Sequence, residues 1–215
     1  QFGLVGSEMC IRDRPFTVFC VTGIINAFNM IDGINGLCAS MVISALIGFI
    51  IITGLDVVNY AFVIAFGGIF GFLIYNLGVV GEKRRVFLGD NGSSFLGFFV
   101  AWACIYLSSA ENNFFNPVTA LWLVFIPFLD CMNVILQRVR RGKKLFSPDR
   151  NHLHHLLMKR EINPLTVLSY IFLISLFFVF IGISLDYFGI SASISLLLFL
   201  ISGSIYLYFT QRLSE

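Results

Sequence analysis

Charged side chains are what this sequence has least of. Asp, Glu, Lys and Arg make up 12% of its 215 residues, while 58% are hydrophobic. A soluble domain carries about 25% charge and breaks its apolar runs every few residues. The shortage therefore excludes an ordinary water-soluble surface. Cysteine is scarce too, and its five positions are Cys10, Cys20, Cys38, Cys104 and Cys131. The count is odd, no C-x-x-C occurs and four of the five lie in apolar segments, so they read as small packing residues and not as a disulfide or metal framework. A signal-peptide pattern is missing, as are internal repeats and low-complexity linkers. The chain opens on Gln1 rather than Met, and is read as a fragment truncated at its N-terminus.

What fills the sequence instead is a series of apolar runs, each of about 16–21 residues and therefore long enough to cross a bilayer as a helix. Seven segments are predicted, over 15–31, 37–54, 60–80, 94–109, 118–137, 166–185 and 190–209. The expected fold is all-α: a polytopic integral membrane bundle of about seven transmembrane helices in one domain, residues 15–215. Residues 1–14 lack the pattern and are expected to be a non-native or disordered tail. The net charge of +2 says little, but the placement of the charges says more. Of the fourteen Lys and Arg, all but Arg12 and Arg14 fall in the loop of Lys83, Arg84 and Arg85, in the loop from Arg138 to Arg160, or at Arg212. Strict alternation puts these on one side, which the positive-inside rule makes the cytoplasm. The opposite connections hold Asp56, Glu111 and Asp186 and no cation.

Three polar islands open to that cytoplasmic side. The first is INAFNMIDGINGL, Ile25 to Leu37, in which Asn26, Asn29, Asp32 and Asn35 recur every third residue. On a helix this makes a drifting polar stripe, which lipid would penalise, so it should face protein or water. A polar packing seam is the plainer alternative. The second is EKRRVFLGDNGSS. It sets Asp90 between glycines and serines at the mouth of a membrane helix, with Arg84 and Arg85 before it and Asn76 upstream. A carboxylate so placed suits a bound cation and a phosphate ester; an N-cap is the alternative. Phe87 could stack on a flat ring. The third is KKLFSPDRNHLHHLLMKRE, with His152, His154 and His155 among cations. The H-x-H-H spacing lacks the i, i+4 pair of helical zinc sites. These histidines read as phosphate donors or proton handlers, or as a solvated basic loop. Asp130, alone in the fifth segment, is either functional or a structural partner of an Asn or a backbone group.

In this order and on this face, the islands resemble the polyprenyl-phosphate N-acetylhexosamine-1-phosphate transferases (glycosyltransferase family 4). NAFNMIDGINGL is similar to the family's NAxNxxDGxDGL, and FLGDNGSSFLG to its F-[LM]-GDxGSxxLG. SPDRNHLHHL resembles the WecA-type loop and not the HHH-x-E of the MraY branch. The resemblance implies Asp32, Asp90, His152, His154 and His155 as catalytic residues, with Asp90 the ligand of magnesium or, in its place, manganese. It implies Asn26, Asn29, Asn35, Asn76, Phe87 and Arg150 as nucleotide-sugar contacts. Asn35 stands where the family usually has a second Asp.

The implied reaction moves N-acetylglucosamine 1-phosphate from a UDP-sugar to undecaprenyl phosphate in the bacterial inner membrane. It releases UMP and initiates a cell-envelope polysaccharide. The partners implied are the UDP-N-acetylhexosamine, undecaprenyl phosphate and membrane lipid, with no nucleic acid and with room for a homodimer. An MraY-type enzyme, or one using another UDP-N-acetylhexosamine, is the near alternative, and a membrane transporter the distant one. The family's aspartate-rich pair, which precedes these islands, has no counterpart here, so the chain by itself is expected to be inactive. The topology makes one direct prediction. A cysteine probe at Asn113 should label from outside the cell, and one at Lys143 should label only after the membrane is opened.

Overall fold

The computed structural model describes residues 2–54, 60–140, 142, 152–160 and 162–214, with side chains described for 14–213. Among the described residues every long regular element is an α-helix. In chain order these are α1 (Phe2–Ile31), α2 (Leu37–Thr53), α3 (Tyr60–Asn76), α4 (Gly89–Ser108), α5 (Pro117–Leu123), α6 (Phe125–Arg140), α7 (Leu153–Met158), α8 (Pro164–Tyr187) and α9 (Ala192–Ser214).

Each of the seven apolar segments returns as helix, but not each as a full span. Four stretches are long and apolar enough to cross a membrane: Arg14–Ile31, Gly89–Ser108, Pro164–Tyr187 and Ala192–Leu213. The fifth segment is two helices, α5 and α6, bent by 80°. Pro127 explains the break: it has no N–H for the Leu123 carbonyl, and its ring crowds that carbonyl, so α5 stops there. With 17 residues each, α2 and α3 reach roughly 25 Å, short of a bilayer core of about 30 Å. Among the described residues the clear spans thus number four, or five with the bent pair, beside two short apolar helices.

One boundary moves and one expectation needs correcting. Helix α1 begins at Phe2 and carries Pro15 inside it, so the first helix starts ahead of residue 15. The polar stripe is helical only through Asn26 and Asn29. Asp32 and Asn35 lie in the turn between α1 and α2. That turn closes on Gly36 at φ 85°, a left-handed conformation that stops one helix and starts the next.

Packing follows from small residues opposite large ones. A Cβ on Gly97 of α4 would lie 3.0 Å from the Ile25 Cα and the Phe28 Cβ of α1, so these two helices meet backbone to backbone. Trp122 of α5 sits over Gly182 of α8. Its ring stacks near Phe125 and Phe178, meets Phe199 of α9 edge-on, and donates its N–H to Ser195 Oγ at 3.1 Å. The Ser44 and Ser175 hydroxyls pair at 2.8 Å between α2 and α8.

The two ends of the bundle differ. At one, Asp186 Oδ1 accepts from the Asn116 N–H at 3.0 Å and the Thr119 hydroxyl at 3.1 Å, tying the end of α8 to the start of α5. The other gathers the end of α1, the start of α4, the end of α6 and α7.

The α1–α4 contact is testable. Gly97→Leu should cost about 1–3 kcal/mol through overpacking, read as a lower Tm in detergent. Gly67→Leu, at a position with nothing within 4 Å of its Cβ, should leave Tm near its starting value.

Candidate active site

The first two islands meet where α1 ends and α4 begins. Asn26 is exposed and Asn29 half-buried on the last turns of α1. The Asn29 amide donates to Ser94 Oγ at 3.1 Å across the two helices. Gly89, at φ 68°, turns the chain into α4, and Asp90 follows in the first turn. Leu88 holds the N-cap position, so Asp90 is not the cap. It sits exposed at the positive end of the helix dipole, where a carboxylate is favoured. The buried Ser93 hydroxyl braces this turn by donating toward the carbonyls of Asp90 (3.2 Å) and Gly89 (3.3 Å). Asp32 is half-buried in the α1–α2 turn. Burial, and then the charge of Asp90, push its acid up to about 6. The two carboxylates therefore lie within one another's field.

The third island packs onto the first. His154 is 1% exposed, and neither ring nitrogen has a hydrogen-bond partner. A Cβ added at Gly33 would land on its Nε2, so only glycine at 33 lets the ring settle over the turn beside Asp32. Burial, with His155 next in weight, pushes His154 down to about 4. At neutral pH the ring is uncharged, so it offers one N–H and one lone pair and no fixed positive charge. The rings of His154 and His155 lie 4.2 Å apart, and those of His152 and His154 5.7 Å apart and nearly parallel.

Asp130 holds this island from within the bundle. It is 1% exposed on α6. Its Oδ2 lies 2.7 Å from His152 Nδ1, and its Oδ1 accepts from the Leu153 N–H at 2.8 Å and the Tyr206 hydroxyl at 3.3 Å. The partners are a histidine, a backbone amide and a tyrosine from the last helix, where the sequence suggested an Asn or a backbone group. An acid alone in an apolar helix announces that it has partners but not which ones. Tyr206 carried no signal at all.

Beside these islands lies a cavity of about 1270 Å³. Asn26, Asn29, Arg138 and the three histidines line its polar end. Apolar side chains of α1, α4, α5 and α6, such as Ile24, Leu121 and Phe128, line the rest. Arg138 is 5% exposed, and sequence reasoning assigned it only a topological role.

Other expected site residues stand apart from this cavity. Asn76 is buried at the end of α3 and spends its amide on the Val86 carbonyl at 2.7 Å, bracing the loop that leads to Asp90. Phe87 is 73% exposed on that loop, and Asn35 is exposed on its turn. Arg85 pairs locally with Glu82 at 2.7 Å. Arg150 lies outside the described residues. Among the described residues no three His, Cys, Asp or Glu side chains form a ready metal cluster.

A bundle of apolar helices with its polar groups collected at one end defines a multi-pass membrane protein with a site at one membrane face. Comparison with known proteins makes the class specific. Residues 3–108 match the model of glycosyl transferase family 4. An undecaprenyl-phosphate alpha-N-acetylglucosaminyl 1-phosphate transferase of Escherichia coli K12 is 36% identical over 203 residues, covering 91% of this chain and 54% of that protein. The proteins of the same name from Yersinia pestis and Haemophilus influenzae are 37% and 40% identical over 147 and 106 residues. These cover 66% and 49% of the chain, and 40% and 30% of those proteins. The chain belongs to glycosyl transferase family 4. It spans about half the length of the Escherichia coli relative.

The raised acid of Asp32 has a signed consequence. The folded state holds its proton more tightly than the unfolded chain does, so without divalent cations the contribution of Asp32 to stability is fullest below about pH 4 and falls as pH rises through about 6. His154, held down to about 4, contributes the opposite sign over the same window, because the folded state binds its proton less tightly than the unfolded chain does. The Asp32 part is therefore read as a difference: in EDTA, the Tm of Asp32→Asn should rise more steeply between pH 4 and 7 than that of the unmutated protein.

Proposed function

We propose that the protein transfers N-acetylglucosamine 1-phosphate from UDP-N-acetylglucosamine to undecaprenyl phosphate, on the cytoplasmic face of the bacterial inner membrane. A lipid phosphate oxygen bonds to the sugar-linked phosphorus, the phosphoanhydride bond breaks, and UMP leaves with its electron pair. The observation that carries this reading is the meeting of the three islands beside one apolar cavity, whose polar end the first and third of them line. Asn29 bonds Ser94, His154 rests on Gly33, and Asp32 feels Asp90. The names of the relatives support the acceptor and the sugar. The described cations Lys83, Arg84, Arg85, Arg138, Arg140, Lys159, Arg160 and Arg212 belong to the loops and helix ends on the side of the islands, with Arg14 inside α1 as the exception, and this distribution supports the cytoplasmic orientation. A transporter would need polar groups reaching both faces, whereas here the remainder of the cavity lining is mostly apolar.

In this reading each part has work. The apolar length of the cavity takes the isoprenoid chain, which brings its phosphate to the polar end. Asn26 and Asn29 offer amide donors and acceptors to the nucleotide-sugar. Phe87, exposed beside Asp90, offers a flat face to the uracil. The uncharged His154 offers one N–H and one lone pair to the phosphates or the sugar without adding charge. Asn76 serves by fixing the Val86–Asp90 approach.

Magnesium fits the donor set. It takes oxygen ligands from one or two carboxylates and fills its remaining positions with phosphate oxygens and water, so it needs no three-residue cluster. Asp90 would hold it, with Asp32 alongside, and two carboxylates in one field are what such an ion relieves. When bound it neutralises the phosphates and the charge developing on the departing UMP.

The test is an assay of the protein, in the form in which cells make it, with undecaprenyl phosphate, magnesium and a panel of UDP-sugars. UMP release should be fastest with UDP-N-acetylglucosamine. Asp90→Asn should lower turnover about 100-fold or more while the protein still inserts. Equal rates across the panel would overturn the sugar assignment. Full activity of Asp90→Asn at low magnesium would overturn the metal assignment.

A further inference from the structure

We infer that Asp130 and Tyr206 act as positioning residues for the transfer reaction, fixing His152, and through it the whole histidine island, at the polar end of the cavity. The kinetic part of this inference rests on the function proposed above; the geometric part does not.

The carboxylate is used on both oxygens. Oδ2 meets the His152 ring and Oδ1 meets the backbone N–H of the next residue, Leu153. One group thus fixes both the ring and the chain that carries it. The Tyr206 hydroxyl adds a third donor from α9, at a residue 9% exposed. An ionised carboxylate has no proton to give, so its bond to the ring puts the proton on Nδ1 and leaves Nε2 as the free acceptor of a ring that lines the cavity. The orientation propagates. His152 lies nearly parallel to His154, which is wedged over Gly33 beside Asp32. A continuous line of contacts therefore runs from the C-terminal helix through Asp130 to the turn that carries the first island.

A purely structural reading is also available, because His152 is the N-cap residue of α7 and Asp130 Oδ1 supplies an acceptor to the first turn. That role needs an oxygen at 130 but is indifferent to the tautomer of the ring. The two readings therefore separate on Asp130→Asn, which keeps the shape and the acceptor and loses the anionic hold.

The experiment has two arms. In the first, ¹⁵N spectra of the three histidines are recorded for the protein in detergent micelles. One ring should show a fixed Nδ1–H, and in Asp130→Asn that signal should give way to averaging between tautomers. Asp130→Glu, which keeps the charge, should restore it in part. In the second arm, Asp130→Asn should lower kcat about 10- to 100-fold, the usual cost of losing a partner that orients a working histidine. KM for UDP-N-acetylglucosamine should hold within about twofold. In a His152→Ala background the same substitution should cost nothing further. Tyr206→Phe, which removes only an oxygen, should act in the same direction by a smaller factor, and serves if Asp130→Asn fails to fold. An unchanged tautomer in Asp130→Asn, or an equal kcat loss with and without His152, overturns the inference. Absence of turnover in the unmutated protein counts against the proposed reaction alone, since the spectra still decide the positioning.

Discussion

An acid buried among apolar helices must find donors or give up its charge, and Asp130 finds three. The site depends on that requirement. The histidine helix docks partly through Leu153 and Leu156, which are buried. Its registry with the bundle comes from below, from a buried carboxylate that bonds both the His152 ring and the Leu153 N–H. The cost of leaving it unpaired is several kcal/mol, enough to hold α7, the end of α6 and α9 in one arrangement. The histidines are then presented to the cavity by a fixed support.

The same economy of polar groups runs through the rest of the bundle. Ser44 with Ser175, Trp122 with Ser195, and Asp186 with Asn116 and Thr119 each satisfy one helix from another. Between lipid-soluble helices there is little hydrophobic gain, so close contact and such bonds carry specificity. Gly97 and Gly182 supply the close contact, letting α1 lie against α4 and Trp122 enter α8. The first of these approaches also sets the site, because it brings Asn29 to Ser94 and the α1–α2 turn toward Asp90.

The cavity gives these contacts a use. Most of its lining is apolar, and its amides, its arginine and its histidines stand where the first and third islands meet. An amphiphile with a phosphate head finds its two halves matched there, and a soluble nucleotide-sugar meets that head from the aqueous side. The carboxylates and the uncharged His154 suit this meeting differently. Asp32 and Asp90 repel one another until a cation or a proton intervenes, whereas the histidine stays neutral and adds nothing to the crowding of charge.

Much of this was legible in the chain itself. Apolar runs of membrane length specified the helices, because burying twenty residues in lipid leaves the backbone no other way to satisfy itself. The one-sided cations gave the islands a shared face, and the three motifs gave them a family. Apart from the start of the first and the break in the fifth, sequence alone placed the segments to within about five residues of the helices observed. It did not show that α1 continues back to Phe2, since backbone can be helical without amphipathic periodicity. Nor did it show that the stripe leaves the helix after Ile31, a matter of Gly36 adopting a left-handed turn. Which polar groups pair was decided only by the tertiary structure. Asp130 with His152 and Tyr206, Asn29 with Ser94, and His154 with Gly33 join residues up to 121 positions apart. No local pattern encodes such pairs, because helix packing, and not sequence spacing, sets the distances between them.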